Sequence, residues 1–162
     1  MSKVTVHGPS LEDIAQAVTT QVKHEMERRS YLAANELRNA ALLVLRGQRS
    51  GRRYKVPGTF RRQRDKVTGK MRNGRYYTAS APGEPPAVRT GTFRNSWQPS
   101  AHKVFGSYIS RIESDVRTDN GRHNLGEILE NGTNRMAPRP HHDLIQKKAE
   151  PKIVKIYEEP YF

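Results

Sequence analysis

The sequence predicts an α+β fold: a long N-terminal helix, a basic loop or hairpin arm, a small antiparallel sheet, a short helix and a C-terminal helix. Three patterns carry that expectation. Apolar residues recur every three to four positions from Leu11 to Val44, apolar or small residues alternate with charged ones from Tyr108 to Val116, and a helical period returns from Leu144 to Ile156. Between the first two patterns, residues 46–75 hold twelve Lys or Arg against one acid, Asp65. That stretch supplies eleven of the thirteen net positive charges of the 162-residue chain.

Ser10 followed by Asp13 reads as a capping box in its shorter-acid form, opening a helix over 10–46. Leu11, Ala15, Val18, Val22, Met26, Ala33, Leu37, Ala40 and Val44 give it one apolar face, and no Gly or Pro intervenes before Gly47. At about 1.5 Å per residue such a helix reaches roughly 54 Å. It is either a core helix with a frayed or bent end, or one that also packs against neighbouring subunits. Residues 47–88 then read as a basic flexible arm. Asn73-Gly74 signals a type I′ turn between Met71-Arg72 and Arg75-Tyr76, and Pro82 to Pro86 stiffen the return. An isolated hairpin is marginal in water, so the arm is expected to be mobile without a partner.

The sheet and C-terminal helix are expected over 89–160. Thr90 caps a short turn of helix with Phe93 and Trp97 on one face. Gln98 to Phe105 pairs through Gly106-Ser107 with the alternating strand, and Pro99 confines its strand to an edge or delays its start. Leu125 to Glu130 forms a short helix closed by Asn131-Gly132. Leu144, Ile145, Ala149, Ile153 and Ile156 form a last helix covering the sheet, with a kink or restart at Pro151. The whole of 1–162 reads as a single domain.

Composition excludes several chemistries. There is no cysteine, hence no disulfide, thiolate nucleophile or cysteine-based zinc site. The N-terminus lacks an apolar signal region and nowhere do eighteen apolar residues run together, so neither secretion nor a membrane partner is expected. The glycines at 47, 51, 58, 69 and 74 lack the ending of a phosphate loop. His141, His142 and Asp143 adjoin, but adjacent side chains diverge on a helix or strand, so no metal is expected there. His123 or His102 as a nuclease base lacks a catalytic constellation around it. No catalytic residue and no cofactor is assigned.

What remains is charge. Arg52, Arg53, Arg61, Arg62, Arg64, Lys66, Lys70, Arg72 and Arg75 ask for a polyanion, with DNA or RNA first. Tyr54, Phe60, Tyr76 and Tyr77 are interleaved with them, either to stack on unpaired bases or to anchor the arm to the protein. With 34% hydrophobic residues and a mean hydropathy of −0.88, completion by partners is expected over a lone compact monomer.

Two segments resemble a known family. They are Gly83-Glu84-Pro85-Pro86-Ala87-Val88-Arg89-Thr90-Gly91-Thr92-Phe93-Arg94-Asn95-Ser96-Trp97, and Leu125 to Thr133 followed by Met136-Ala137-Pro138-Arg139-Pro140. Thr90-Gly91 with Phe93, Arg94 and Ser96, then Glu130, Gly132 and Thr133, then Ala137, Arg139 and Pro140, are similar in order and spacing to three motifs of the neck, or tail-completion, proteins of long-tailed double-stranded DNA phages. The resemblance spans about residues 10 to 158. The chain departs from the pattern where Pro138 interrupts the last motif, where Pro151 enters the last helix, and in the length of its basic stretch. The resemblance implies a structural virion protein, made in the host cytoplasm and assembled at the head–tail interface. There it would form a homo-oligomeric ring, taken as a hexamer, against a head-closure or connector ring and a tail terminator or tail tube, with phage DNA in the channel. Within the motifs, Arg94 or Arg139 is expected to pair with Glu130. The alternatives are a stand-alone basic nucleic-acid-binding module and a toxin-like ribonuclease.

Overall fold

The structure, a computed structural model, describes residues 8–56, 67–70 and 74–161. Its elements in chain order are α1 (Leu11–Arg46), β1 (Arg53–Lys55), β2 (Tyr76–Thr78), α2 (Thr92–Asn95), β3 (Gln98–Val104), β4 (Ser107–Glu113), α3 (Leu125–Asn131) and α4 (His142–Glu158). The fold is α+β, with two separate two-stranded antiparallel sheets. Of the basic arm, Arg61, Arg62, Arg64, Lys66 and Arg72 lie outside the described residues, as do Phe60 and Asn73 of the expected Asn73-Gly74 turn.

The capping box forms as the sequence implies. Asp13 N donates to Ser10 Oγ at 3.1 Å, and Ser10 N donates back to Asp13 Oδ2 at 3.2 Å. The two halves of α1 then differ. Every residue from Leu11 to Gln21 is exposed, whereas Arg29, Ser30, Ala33, Ala34, Ala40, Ala41 and Leu45 are buried. Four alanines in that face let neighbouring backbones approach closely, and Ala149 of α4 is equally covered. α4 lies along the second half of α1, and the β3–β4 hairpin packs on α1 as well.

This corrects the expectation that the last helix covers the sheet. The main partner of both is α1, because its buried stripe is wide enough to serve two neighbours. Ser30 shows how: its carbonyl accepts from Ser110 Oγ of β4 at 2.9 Å, and its hydroxyl lies 3.4 Å from Tyr157 Oη of α4. The restart foreseen at Pro151 does not occur either, since α4 runs as one helix through it.

In the hairpin, Tyr108, Ser110 and Ile112 are half-buried and their neighbours exposed, the alternation read from the sequence. Pro99 pairs opposite Ile112 on a two-stranded ribbon, where an edge for its missing N–H is always at hand. The turn sits one residue earlier than expected, at Phe105 (φ 46°) and Gly106 (φ 86°), with Val104 opposite Ser107. Two consecutive positive φ values match the right-handed twist of the strands. Strand β4 stops at Glu113, because Ser114 and Val116 turn to bond the start of α3. Asn124 Nδ2 donates to Ser114 O at 3.2 Å, and Leu125 N donates to Val116 O at 2.8 Å.

Candidate functional site

Two places hold most of the described residues singled out by sequence. The first is the basic ribbon β1–β2, with Arg53 opposite Thr78, Tyr54 opposite Tyr77 and Lys55 opposite Tyr76. Its base is tied to the end of α1. Arg49 Nη2 donates to Val44 O at 2.9 Å and to Pro86 O at 3.1 Å. Glu84 accepts from Ser50 Oγ at 2.6 Å, Ser50 N at 3.1 Å and Ala81 N at 2.9 Å. Those bonds, the Ser50 hydroxyl first, hold the Glu84 carboxyl down at about 2. Gly51 is needed where the strands leave this base, for an added Cβ would stand 2.6 Å from Ala79 O.

The ribbon braces itself with its aromatics. Tyr54 and Tyr77 stack at 5.8 Å between centroids, the Arg53 guanidinium lies 4.4 Å from the Tyr76 centroid, and that of Arg52 lies 5.7 Å from Tyr54. Those rings therefore pair within the ribbon. Arg52, Arg53, Lys70 and Arg75 are exposed. Of these four only Arg53 lies on a strand, with Arg52 just before β1 and Arg75 just before β2. β2 pairs with β1, with Val56 N donating to Arg75 O at 2.8 Å.

The second place is a node at the start of α4, where the motif residues converge. Gly91 takes φ 90° and caps the short α2, and Thr90 Oγ1 accepts from Thr92 N at 3.3 Å. Thr90 thus supports the turn from one position further out than expected. Phe93 and Trp97 meet edge to face at 5.6 Å, Ser96 Oγ lies 2.6 Å from Ser114 Oγ, and Arg38 Nε of α1 donates to Trp97 O at 3.0 Å. The Phe93 ring also lies against Gly126 at the start of α3. Asn124 caps α3 by accepting from Gly126 N at 2.8 Å.

Past α3 the chain folds back. Thr133 and Met136 exchange backbone hydrogen bonds, Arg139 N donates to Leu129 O at 2.8 Å, and Gly83 N donates to Pro138 O at 3.1 Å, joining the return of the arm to the node. Half-buried Pro140 then leads into His141. Gly132 makes this reversal with φ 73°, and an added Cβ would meet Met136 O at 2.6 Å and Pro138 N at 2.7 Å. Gly132→Ala is therefore expected to destabilise the protein by about 2 kcal/mol or more, through the positive φ and the backbone clash together. A thermal melt checks this, and a midpoint like that of the parent chain would refute it.

The partner of Glu130 is neither Arg94 nor Arg139. Arg94 Nε donates to Asn95 Oδ1 at 3.2 Å, and no ion pair joins either arginine to Glu130 among the described residues. Instead Glu130 Oε2 accepts from His141 N at 2.9 Å and His142 N at 3.3 Å, and lies 2.7 Å from His141 Nδ1 and 3.8 Å from His142 Nδ1. An acid at the positive end of α4 is favoured there. His141 is fully buried between Phe93 and Trp97, with centroids at 5.6 and 5.9 Å, and its Nδ1 also faces Arg139 O at 3.1 Å. Burial holds its pKa below the ordinary imidazole value, against the opposing effects of the Arg139 carbonyl and Glu130.

The two histidines do not diverge as regular structure would make them. His141 precedes α4 with φ −143° and ψ −20°, and the two rings lie 4.6 Å apart. Donor atoms of Glu130, His141 and His142 all fall within 4.8 Å of one another. His102 and His123, by contrast, are exposed, and their rings make no hydrogen bond to an acid among the described residues. No described helix is long and apolar enough to cross a membrane. Compared with family models, curated proteins and solved structures, the chain matches none.

Proposed function

We propose that the chain is a structural protein of the neck of a long-tailed double-stranded DNA phage, assembling as a ring at the head–tail joint with its basic ribbon as the contact for DNA or an acidic neighbour. The observation that supports this reading is the node. Two motif segments some 30 residues apart in sequence fold against one another, Phe93 and Trp97 from the first and Glu130 through Arg139 from the second, and together they seat the start of α4. Motif residues used this way are structural, and none is spent on a reacting atom.

Two surfaces remain for assembly. The exposed half of α1 carries Leu11, Ile14 and Val18 at 86, 46 and 43% exposure, spaced to share one face of the helix. The ribbon presents its cations at another place on the chain. A ring whose lumen passes DNA suits diffuse, phosphate-directed contacts that hold no sequence tightly.

Native mass measurement tests the reading. The purified chain is expected to form a closed ring of identical copies, alone or on addition of the connector and tail-terminator rings. A chain that stays monomeric in all these mixtures, and binds short single-stranded oligonucleotides tightly through Tyr54 and Tyr76, would be a stand-alone nucleic-acid-binding module instead.

A further inference from the structure

Beyond that role, the node has the makings of an ion site. Three side chains with metal-binding atoms meet at the start of α4, and two of them are already held in place. The Glu130 carboxylate is fixed by the backbone N–H groups of His141 and His142. The His141 ring is fixed by burial between Phe93 and Trp97. Its Nδ1 is aimed at two oxygens, Glu130 Oε2 and Arg139 O, while its Nε2 is buried with no hydrogen-bond partner among the described residues. His142 Nδ1 lies 3.8 Å from the same carboxylate oxygen, so a cation bound here would take the place of the proton that His141 Nδ1 otherwise holds toward Glu130.

We propose that Glu130, His141 and His142 bind a divalent transition-metal cation of the zinc class, with solvent completing its coordination, and that the ion pins α3 to α4. Two imidazoles and one carboxylate suit such an ion, whereas calcium or magnesium would ask for more oxygen. Nitrogen and oxygen donors around zinc stand about 3.3 Å apart, given bonds of about 2.0–2.1 Å in a tetrahedron. Glu130 Oε2 lies 2.7 Å from His141 Nδ1 and 3.8 Å from His142 Nδ1, either side of that value. His142 closes the difference, because its side chain is 52% exposed and can turn toward the others without disturbing the core. The same exposure gives the ion its way in. The site stands whichever partner the ribbon takes.

The test uses the whole chain, freed of metal with a chelator and titrated with Zn2+. Binding of a single equivalent is expected, with a rise in thermal midpoint of roughly 5–10 °C at about a hundredfold excess over Kd. His142→Ala is expected to weaken the affinity at least tenfold and remove the rise, while a His102→Ala, His123→Ala double variant keeps both. No rise in the parent chain, a rise that survives His142→Ala, or one lost in the control variant each overturns the proposal. Should His142→Ala fail to fold, Co2+ added to the parent chain decides. Intense visible bands of a four- or five-coordinate ion with nitrogen ligands support the site, and the pale spectrum of the hydrated ion refutes it.

Discussion

Arg29→Ala is expected to lower stability by about 3 kcal/mol, a fall in melting midpoint of roughly 6–12 °C for a chain of this size. Arg29 is 1% exposed and stands in the middle of α1, yet its guanidinium reaches the far end of the chain. Nη1 donates to Glu159 O at 2.6 Å and approaches Tyr157 O at 3.4 Å, Nη2 donates to Pro160 O at 2.7 Å, and the Tyr161 ring lies 3.9 Å from the charge. These carbonyls close the C-terminal end of α4, where a positive charge complements the helix dipole. Charge-assisted bonds of this kind contribute about 1.5–3 kcal/mol each, and part of that is regained here because the freed carbonyls can reach water. Arg29→Met, which keeps the apolar stem but removes the fork, is expected to lose nearly as much. Arg29→Lys should recover less than half, having neither the planar fork nor the face that stacks on Tyr161. Circular dichroism melts of the three variants check this. An Arg29→Ala midpoint within about 2 °C of the parent would mean that α4 docks without the clamp.

Nothing in the run Glu25-Met26-Glu27-Arg28-Arg29-Ser30 distinguishes Arg29 from Arg28, which is exposed and pairs with Glu25 at 3.0 Å. The difference lies in which face meets α4, and that is set by packing between segments more than 120 residues apart. What was legible is what local pattern controls. The capping box, the unbroken helix to Gly47, the alternation of β4 and the stop at Gly132 each rest on side chains acting within a few residues of themselves. The partner of α4 was not legible, because an alanine-rich face such as Ala33, Ala34, Ala40 and Ala41 admits either a helix or a sheet. The closeness of the two histidine rings is not legible for a related reason. The rule that neighbours diverge holds inside regular elements, and His141 stands just outside one, with a backbone conformation no residue type announces.

Arg52→Gln combined with Arg53→Gln is expected to make duplex DNA binding less dependent on salt. The slope of log affinity against log salt should become shallower by about two units, near 0.9 for each phosphate contact removed. The parent chain, if it engages about six phosphates, should lose roughly a thousandfold in affinity between 50 and 200 mM salt, equally on two unrelated sequences. Both arginines are exposed, and each lies over a tyrosine of its own ribbon, Arg53 over Tyr76 and Arg52 over Tyr54. Neutralising them therefore removes charge and some bracing together, which the ribbon's backbone pairing from Arg53 to Lys55 and the Glu84 anchor at its base are placed to withstand. Arg111→Gln separates the two causes. Arg111 is exposed on the other hairpin, 2.6 Å from Glu113, so its loss changes net charge by the same sign without touching the ribbon. Fluorescence anisotropy across a salt series measures all three proteins. An unchanged slope in the double variant, or an equal change with Arg111→Gln, would assign the attraction to the chain's overall charge and take the ribbon out of the DNA-facing role. A local effect would place the phosphate contacts at the start of β1, where Arg52 leads into Arg53 from the end of α1.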